Sequence, residues 1–431
     1  MPADRLWEVC PKRCRKNTLL PEYWKLSVID RYQYRVKTSA RGAEHSAERY
    51  IADAKNGRAS GERIMRILYV TTIGGTMSFF KSFVRELVAA GHTVDIATHE
   101  SAGNNPLDYF RELGCTVYPV DFSRSPLNKG NLRAIKQLKK LVQEQDYDIV
   151  HCHTPVAAAC TRFVCRKIRK QGTKVFYTAH GFHFYKGAPL KNWLIFYPIE
   201  KLCAGWTDVL ITINGQDYAL AQKKLRAKKV CYVPGVGIQV ENFADVQVDR
   251  AAKRGELGIP EDARLLLSVG ELNENKNHQV VLRAMARLND PNMHYMIAGN
   301  GGWKDRLLQL AKELGLEKQF HLLGFRRDVA ELYKTADVYI HCSYREGLPV
   351  SVMEARAAGI PVVCSDIRGN GDLINEAFRF QPGDPEGLIK ALSQVGDREQ
   401  AAKACAEGML PLEQMGKDAI NAQLLQLYLS V

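Results

Sequence analysis

A chain of 431 residues is too long for one hydrophobic core, and at about 150 residues per domain it implies two or more. With 46% hydrophobic and 25% charged residues the composition excludes a disordered or fibrous chain. No apolar run approaches the roughly 18 residues that cross a bilayer, so any membrane contact is expected to be peripheral. The net charge is +13, and residues 1–64 hold 14 Lys/Arg against 8 Asp/Glu, so the remainder is only mildly basic. That balance suits anionic substrates or an anionic membrane surface and makes no case for nucleic acid.

Residues 1–64 lack sustained periodicity and read as a poorly ordered or separately structured extension, or as a start-site artefact. A targeting role is the alternative, though their acids and missing apolar core speak against a secretory signal. The eleven cysteines are scattered, with Cys10 and Cys14 the only close pair, which reads as reduced thiols in a cytoplasmic protein. From Met65 apolar runs alternate with helical stretches, the pattern of an α/β fold with parallel sheets. Strands are expected at 67–70, 93–98, 116–120, 149–150, 174–178, 209–213 and 230–233. Helices are expected near 78–90, 106–113, 131–144, 155–170, 189–204 and 215–225. Val233-Pro-Gly-Val-Gly breaks the rhythm, and a second cycle places strands at 265–269, 295–298, 320–323, 338–341 and 360–364. The reading is two Rossmann-like, doubly wound domains facing across a cleft, 65–240 and 241–411, with a C-terminal helix in 412–431 expected to cross back to the first.

Ligands of such sheets bind outside the carboxyl ends of the strands, so the loops that follow strands hold the candidates. Gly74 and Gly75 follow the first strand and permit close backbone approach at a helix start. The dinucleotide spacing GxGxxG is absent there, which argues against a nicotinamide or flavin enzyme, and no cofactor is expected. His180 and Gly181 follow the fifth strand, where a histidine can serve a hydroxyl or a developing charge. Phe182, His183 and, after the fourth strand, His153 are acceptor-side candidates. In the second domain Lys276 follows a strand and is a mobile charge suited to a diphosphate. Gly299 and Gly301 leave room for a flat ring, and Phe325 and Arg326 stand where a base edge could be read. Asp146 and Asp148 form a DxD pattern, but before a strand, at the wrong end of the sheet; they read as turn chemistry, and no metal site is expected. Last comes Ser343–Ile374, a loop, a helix over about 350–358 and a strand. Pro349 fits a first helical turn, the free N–H groups behind it suit a phosphate, and Glu346 and Glu354 flank that helix start beside Leu348.

Taken together, from Met65 onward, these loops resemble the retaining family-4 glycosyltransferases of the GT-B fold. Glu346-Gly-Leu-Pro-Val-Ser-Val-Met-Glu354 is similar to that family's E-x7-E element. The resemblance implies that Glu346 serves donor sugar hydroxyls, Glu354 the ribose hydroxyls, Gly74 and Gly75 the donor phosphates and acceptor, and His180 the donor sugar. It also implies an arginine five residues before Lys276. Glu271 stands there instead, and Arg345 is the base expected to compensate. VGELNENKNH and AHGFHFYKG resemble the bacterial exopolysaccharide and capsule branch. The implied reaction is metal-independent hexosyl or N-acetylhexosaminyl transfer from a UDP-linked sugar to a polyprenyl-diphosphate-linked saccharide, with retention, at the inner face of the plasma membrane. Val233–Gly237 is the expected hinge, and basic and aromatic residues of the first domain (Arg162 to Lys170, Phe182 to Tyr197) are expected to seat the acceptor on anionic lipid. The competing readings are a nucleotide-sugar 2-epimerase of the same fold and a non-catalytic nucleotide-sugar or lipid-binding partner.

Overall fold

A computed structural model describes residues 63–100, 106–126 and 128–431. The expectations for residues 1–62, including Cys10 and Cys14, lie outside the described residues. Seven parallel strands form the first sheet: β1 (Arg66–Ile73), β2 (Thr93–His99), β3 (Thr116–Pro119), β4 (Ile149–His153), β5 (Lys174–Ala179), β6 (Val209–Thr212) and β7 (Lys229–Tyr232). Six form the second: β8 (Arg264–Val269), β9 (Met293–Ala298), β10 (Phe320–Gly324), β11 (Val338–His341), β12 (Val362–Ser365) and β13 (Arg379–Phe380). The orders are β3-β2-β1-β4-β5-β6-β7 and β10-β9-β8-β11-β12-β13. Each sheet therefore reverses direction once, between β1 and β4 and between β8 and β11.

Helices cover both faces, which is why the strands read as continuous apolar runs rather than as alternating ones. In the first domain they are α1 (Lys81–Ala89), α2 (Leu107–Glu112), α3 (Gly130–Glu144), α4 (Pro155–Cys165), α5 (Leu190–Ala204) and α6 (Gly215–Lys224). The second carries α7 (Glu241–Ala244), α8 (Arg250–Glu256), α9 (Gln279–Leu288), α10 (Lys304–Glu313), α11 (Val329–Thr335), α12 (Val350–Ala357), α13 (Asn370–Leu373), α14 (Pro385–Ser393) and α15 (Arg398–Ala406), and α16 (Lys417–Leu429) ends the chain. In β1 the pleat divides the core. Leu68 and Val70 pack with α3 and α4, while Ile67 and Tyr69 pack with α1, α2 and the buried Ile420, Leu424, Leu425 and Tyr428 of α16. The last helix thus completes the first domain's core, as expected.

Three stretches differ from expectation. Gly74–Phe80 forms a 3-10 turn before α1, with no side-chain cap at its start, and Gly172, at φ +125°, stops the fourth helical stretch, which has already changed to 3-10 geometry over Ile168–Gln171. β13 has only two residues, too short to register as an apolar run. The Val233–Gly237 link is pinned from outside. Ile238 N donates to Met415 O and Lys417 N to Ile238 O, each at 2.9 Å. Gly237 has φ +70°, and a Cβ there would lie 2.8 Å from Lys417 Cα. Gly237→Ala should therefore cost about 1–3 kcal/mol, read as a lower urea midpoint, together with faster amide exchange in α16 as its docking loosens.

Candidate active site

The sheet reversals place the candidates. At the β1/β4 reversal the loops carry Gly74, Gly75 and His153, and at β8/β11 they carry Lys276 and Glu346. Among the described residues three non-glycines have positive φ, and two of them, Thr154 and Asn277, follow His153 and Lys276 directly. Such conformations cost energy and persist where surrounding bonds hold them. Thr154 is held by Thr72, whose N and Oγ1 lie 3.0 and 2.6 Å from its hydroxyl. The β8 and β11 loops are laced together: Tyr344 N donates to Asn275 O at 2.8 Å, and Asn275 Nδ2 to Arg345 O at 3.1 Å.

Lys276 Nζ lies 2.8 Å from Glu346 Oε1, with both side chains about four-fifths buried. The lysine stem crosses Gly270, whose missing side chain leaves the space. On the other side of Glu346, His341 Nε2 lies 3.6 Å away. Asn370 Nδ2 faces His341 Nδ1 at 3.2 Å, which leaves the imidazole N–H on Nε2, toward the carboxylate. Burial alone would push the Glu346 carboxyl up, but the hydrogen bond and field of His341 and the Lys276 charge pull it well below the ordinary range. Burial also disfavours protonated His341, so the formal positive charge beside Glu346 is the lysine's. Glu354, on the second turn of α12, is different. Burial pushes its carboxyl up, against a hydrogen bond from Tyr333 Oη to Oε2 at 3.2 Å. Pro349 is the N-cap of α12 rather than part of its first turn; no side chain caps the helix, so its first N–H groups have no side-chain acceptor.

The first domain meets this loop at His180. A Cβ on Gly347 would lie 2.0 Å from His180 O, and one on Gly369 2.3 Å from Gly347 O. His180 Nε2 is 3.2 Å from His153 Nδ1, and burial lowers its pKa to about 4. His153 itself is buried, stacked on Tyr69, so it reaches the cleft only through His180. Phe182 is buried too and stacks on Phe184, and His183 stacks on Phe196 at 4.5 Å.

Several expected donor residues have other employment. A Cβ on Gly299 would lie 1.8 Å from Gly270 O and one on Gly301 2.3 Å from Leu272 O, so the chain's own packing requires both glycines. Gly75 is the contrary case, with nothing within 4 Å of its Cβ position: open space a ligand could fill. Arg326 is tied to Asp328 and Glu256, at 2.5 and 3.2 Å, while Phe325 beside it is exposed. Leu348 is buried, its Cδ2 3.1 Å from the Cβ position of Gly235, so only its backbone is left for a ligand. Glu271 is exposed and accepts from Asn273 Nδ2 at 2.9 Å. Asp148 accepts from Arg66 N at 2.8 Å, at the amino ends of the central strands β1 and β4.

Sequence reasoning gave no role to Arg368, which follows β12. Its Nη1 donates to Phe182 O at 2.6 Å and Asp217 Oδ1 at 3.0 Å, its Nε donates to Glu346 O at 2.9 Å, and its guanidinium lies 4.4 Å from the Tyr185 ring centre. One side chain thus joins both domains at the site. The signal for it was its place in a strand-end loop beside Gly369.

Residues 249–409 match the family of glycosyl transferases group 1, and residues 74–235 match the glycosyl transferase 4-like domain. EpsD of Bacillus subtilis (strain 168), named as a glycosyltransferase, is 36% identical over 338 residues, which span 77% of this chain and 87% of EpsD. An Escherichia coli protein named UDP-Gal:alpha-D-GlcNAc-diphosphoundecaprenol alpha-1,3-galactosyltransferase is 27% identical over 62% of this chain and 71% of its own. Anabaena HepE, solved with UDP and glucose, superimposes with a TM-score of 0.68 at 18% identity, covering 85% of this chain and all of that one.

The Lys276–Glu346 pair has a testable pH signature. The folded-state pKa of Glu346 lies below its unfolded value of about 4.3, so the pair's contribution is fully present above that value and is lost as pH falls through the folded pKa. Lys276→Met should lower stability most at neutral pH, and the gap to the unmodified protein should narrow as the medium becomes acid, as read from urea midpoints across that range.

Proposed function

From the premise that this chain belongs to the group 1 glycosyl transferases and has their two-domain GT-B fold, we propose that it transfers a sugar from a UDP-linked donor to a hydroxyl of a polyprenyl-diphosphate-linked saccharide, with retention. The step belongs to exopolysaccharide or capsule assembly, at the cytoplasmic face of the membrane. The observation that carries this reading is the Lys276–Glu346 pair at the second sheet's reversal, one residue from backbone contact with His180. A cation for a diphosphate, a carboxylate for ring hydroxyls and a neutral histidine converge there from both domains. The lipid-linked acceptor is supported by the name of the E. coli relative.

In this mechanism the donor diphosphate takes over Lys276 and the uncapped start of α12, and Glu346, released from the lysine, accepts hydrogen bonds from the donor sugar. Glu354 accepts from the ribose hydroxyls. The bond between the anomeric carbon and the diphosphate oxygen breaks as the acceptor oxygen bonds to the same face of that carbon, and the acceptor's proton passes to the departing phosphate. Lys276 and the helix N–H groups stabilise charge developing on the leaving group, with Arg345 supplying the second cation that Glu271 does not. His180 is neutral at pH 7 and offers Nδ1 to the sugar, its Nε2 being engaged by His153. Any closing motion about the link at 233–237 must carry the hydrogen bonds between Ile238 and the start of α16 with it.

The test is a panel of UDP- and GDP-sugars with a lipid-diphosphate saccharide, following nucleoside diphosphate release. Release that requires acceptor supports transfer, donor consumption without acceptor supports the epimerase, and nucleotide binding with no turnover of any pair defeats both enzymatic readings. Glu354→Ala should weaken donor and free UDP alike by about tenfold or more, whereas Glu346→Ala should leave free UDP binding near its original value and abolish most turnover; equal effects on UDP would reject the division of labour. Because Asp148 is engaged at the amino ends of β1 and β4, away from the strand ends that carry the candidates, activity should persist in EDTA, and a strict divalent-metal requirement would count against these assignments.

A further inference from the structure

The lipid of the proposed acceptor needs a seat, and two features of the first domain supply one. The outer face of α5 is apolar. Leu190, Leu194 and Leu202 are 72%, 68% and 60% exposed, and Ile195 and Ile199 are 44% and 43% exposed. Five large hydrophobics on one helix form a patch rather than the scattered singles of an ordinary surface. The helix's single acid, Glu200, is buried and paired with Arg162, Nη2 to Oε2 at 3.0 Å, so its exposed charges are Lys191 and Lys201. Past its end, Arg166 covers Phe163, and that ring meets Trp206 at 6.0 Å. An apolar face with a cationic rim complements an anionic bilayer. A two-fold contact between copies would instead set those lysines around a shared patch with no acid to answer them.

Beneath this face a cavity of about 380 Å³ lies between α3, α4 and α5, within the range that holds a small apolar ligand. Ile135, Val156, Phe182 and Phe196 wall it; Ile199 links it to the exposed face, and Gly181 and His183 link it to the cleft. Burial first, and then the charges of Arg345 and Arg368, disfavour protonation of His183 at the cleft end.

Resting on the lipid-linked reading above, we propose that this cavity holds the diphosphate-proximal part of the acceptor's isoprenoid chain while the outer face of α5 rests on an anionic membrane. The test uses the full chain, phosphatidylglycerol and phosphatidylcholine vesicles, and one diphosphate saccharide carried on either an isoprenoid or a short soluble alkyl chain. The L194E/I199E double variant should lose flotation with phosphatidylglycerol vesicles about tenfold and keep its UDP affinity. Ala159→Phe, which narrows the cavity, should raise KM for the isoprenoid acceptor about tenfold and leave the short-chain acceptor, UDP affinity and unfolding midpoint unchanged. Undiminished flotation of L194E/I199E, an equal KM change for both acceptors, or a dimer that L194E/I199E dissociates would overturn the proposal. If no acceptor is turned over at all, the transferase reading fails, and the binding of a fluorescent isoprenyl diphosphate still decides this one: weakening by Ala159→Phe supports it, and no binding overturns it.

Discussion

The buried bridge between Arg368 and Asp217 is the constraint on which the cleft depends. Both residues lie below 9% exposure, and a charge there survives only if it is paired and hydrogen-bonded. Asp217 is satisfied by Asn214 Nδ2 and Phe182 N as well as by the arginine. Arg368 spends its donors on carbonyls of both domains. Removing one partner of such a pair costs about 3–5 kcal/mol, because the other is left charged and dry. A second crossing, Gly215 N to Asp372 Oδ2 at 2.7 Å, runs beside it. The arrangement in which Gly347 abuts His180 is therefore bonded in place, and any opening that admits a donor must move around these contacts or break them.

The same logic explains the site's internal pairing. With no ligand, Lys276 and Glu346 neutralise each other, which keeps two buried charges tolerable. In the proposed function a diphosphate and a sugar offer each a replacement partner, so that binding exchanges one satisfied arrangement for another. Glu271 sharpens this. Where a second cation is expected, the chain has an exposed acid bonded to Asn273, so under the proposed function the diphosphate falls to Lys276 and the start of α12. Arg345 makes no ion pair among the described residues and stands on the loop between the domains, where it can answer a charge from either side.

Much of this was legible in the sequence because parallel strands covered on both faces leave apolar runs, and twelve of the thirteen strands were long enough to show them. Lys276, His180, Glu346 and Glu354 could be picked out because strand ends are where these folds place chemistry. What stayed hidden depends on partners distant in the chain. Gly299 and Gly301 look like ligand glycines until Gly270 and Leu272 are seen to occupy the space, and Arg326 looks free until Asp328 and Glu256 close on it. Phe182 reads as an acceptor-side residue, yet it is buried against Phe184. The apolar face that α5 exposes was hidden as well, because helical spacing alone does not say which apolar side chains the core has room for.

The first half of the site depends, in the end, on the last residues of the chain. His151 Nδ1 lies 2.5 Å from Tyr428 Oη on α16, and that hydroxyl donates to Tyr69 Oη at 3.1 Å. His151 and His153 are ring neighbours at 4.2 Å, and His153 holds His180. Burial lowers the pKa of His151 to about 3 and disfavours protonation of His153 as well, so the rings in this column are neutral, and the bond between His153 and His180 couples the tautomers of those two. A helix that leaves the second domain and returns to cover the first therefore closes a hydrophobic core and, through one tyrosine, secures the floor on which the cleft histidine rests.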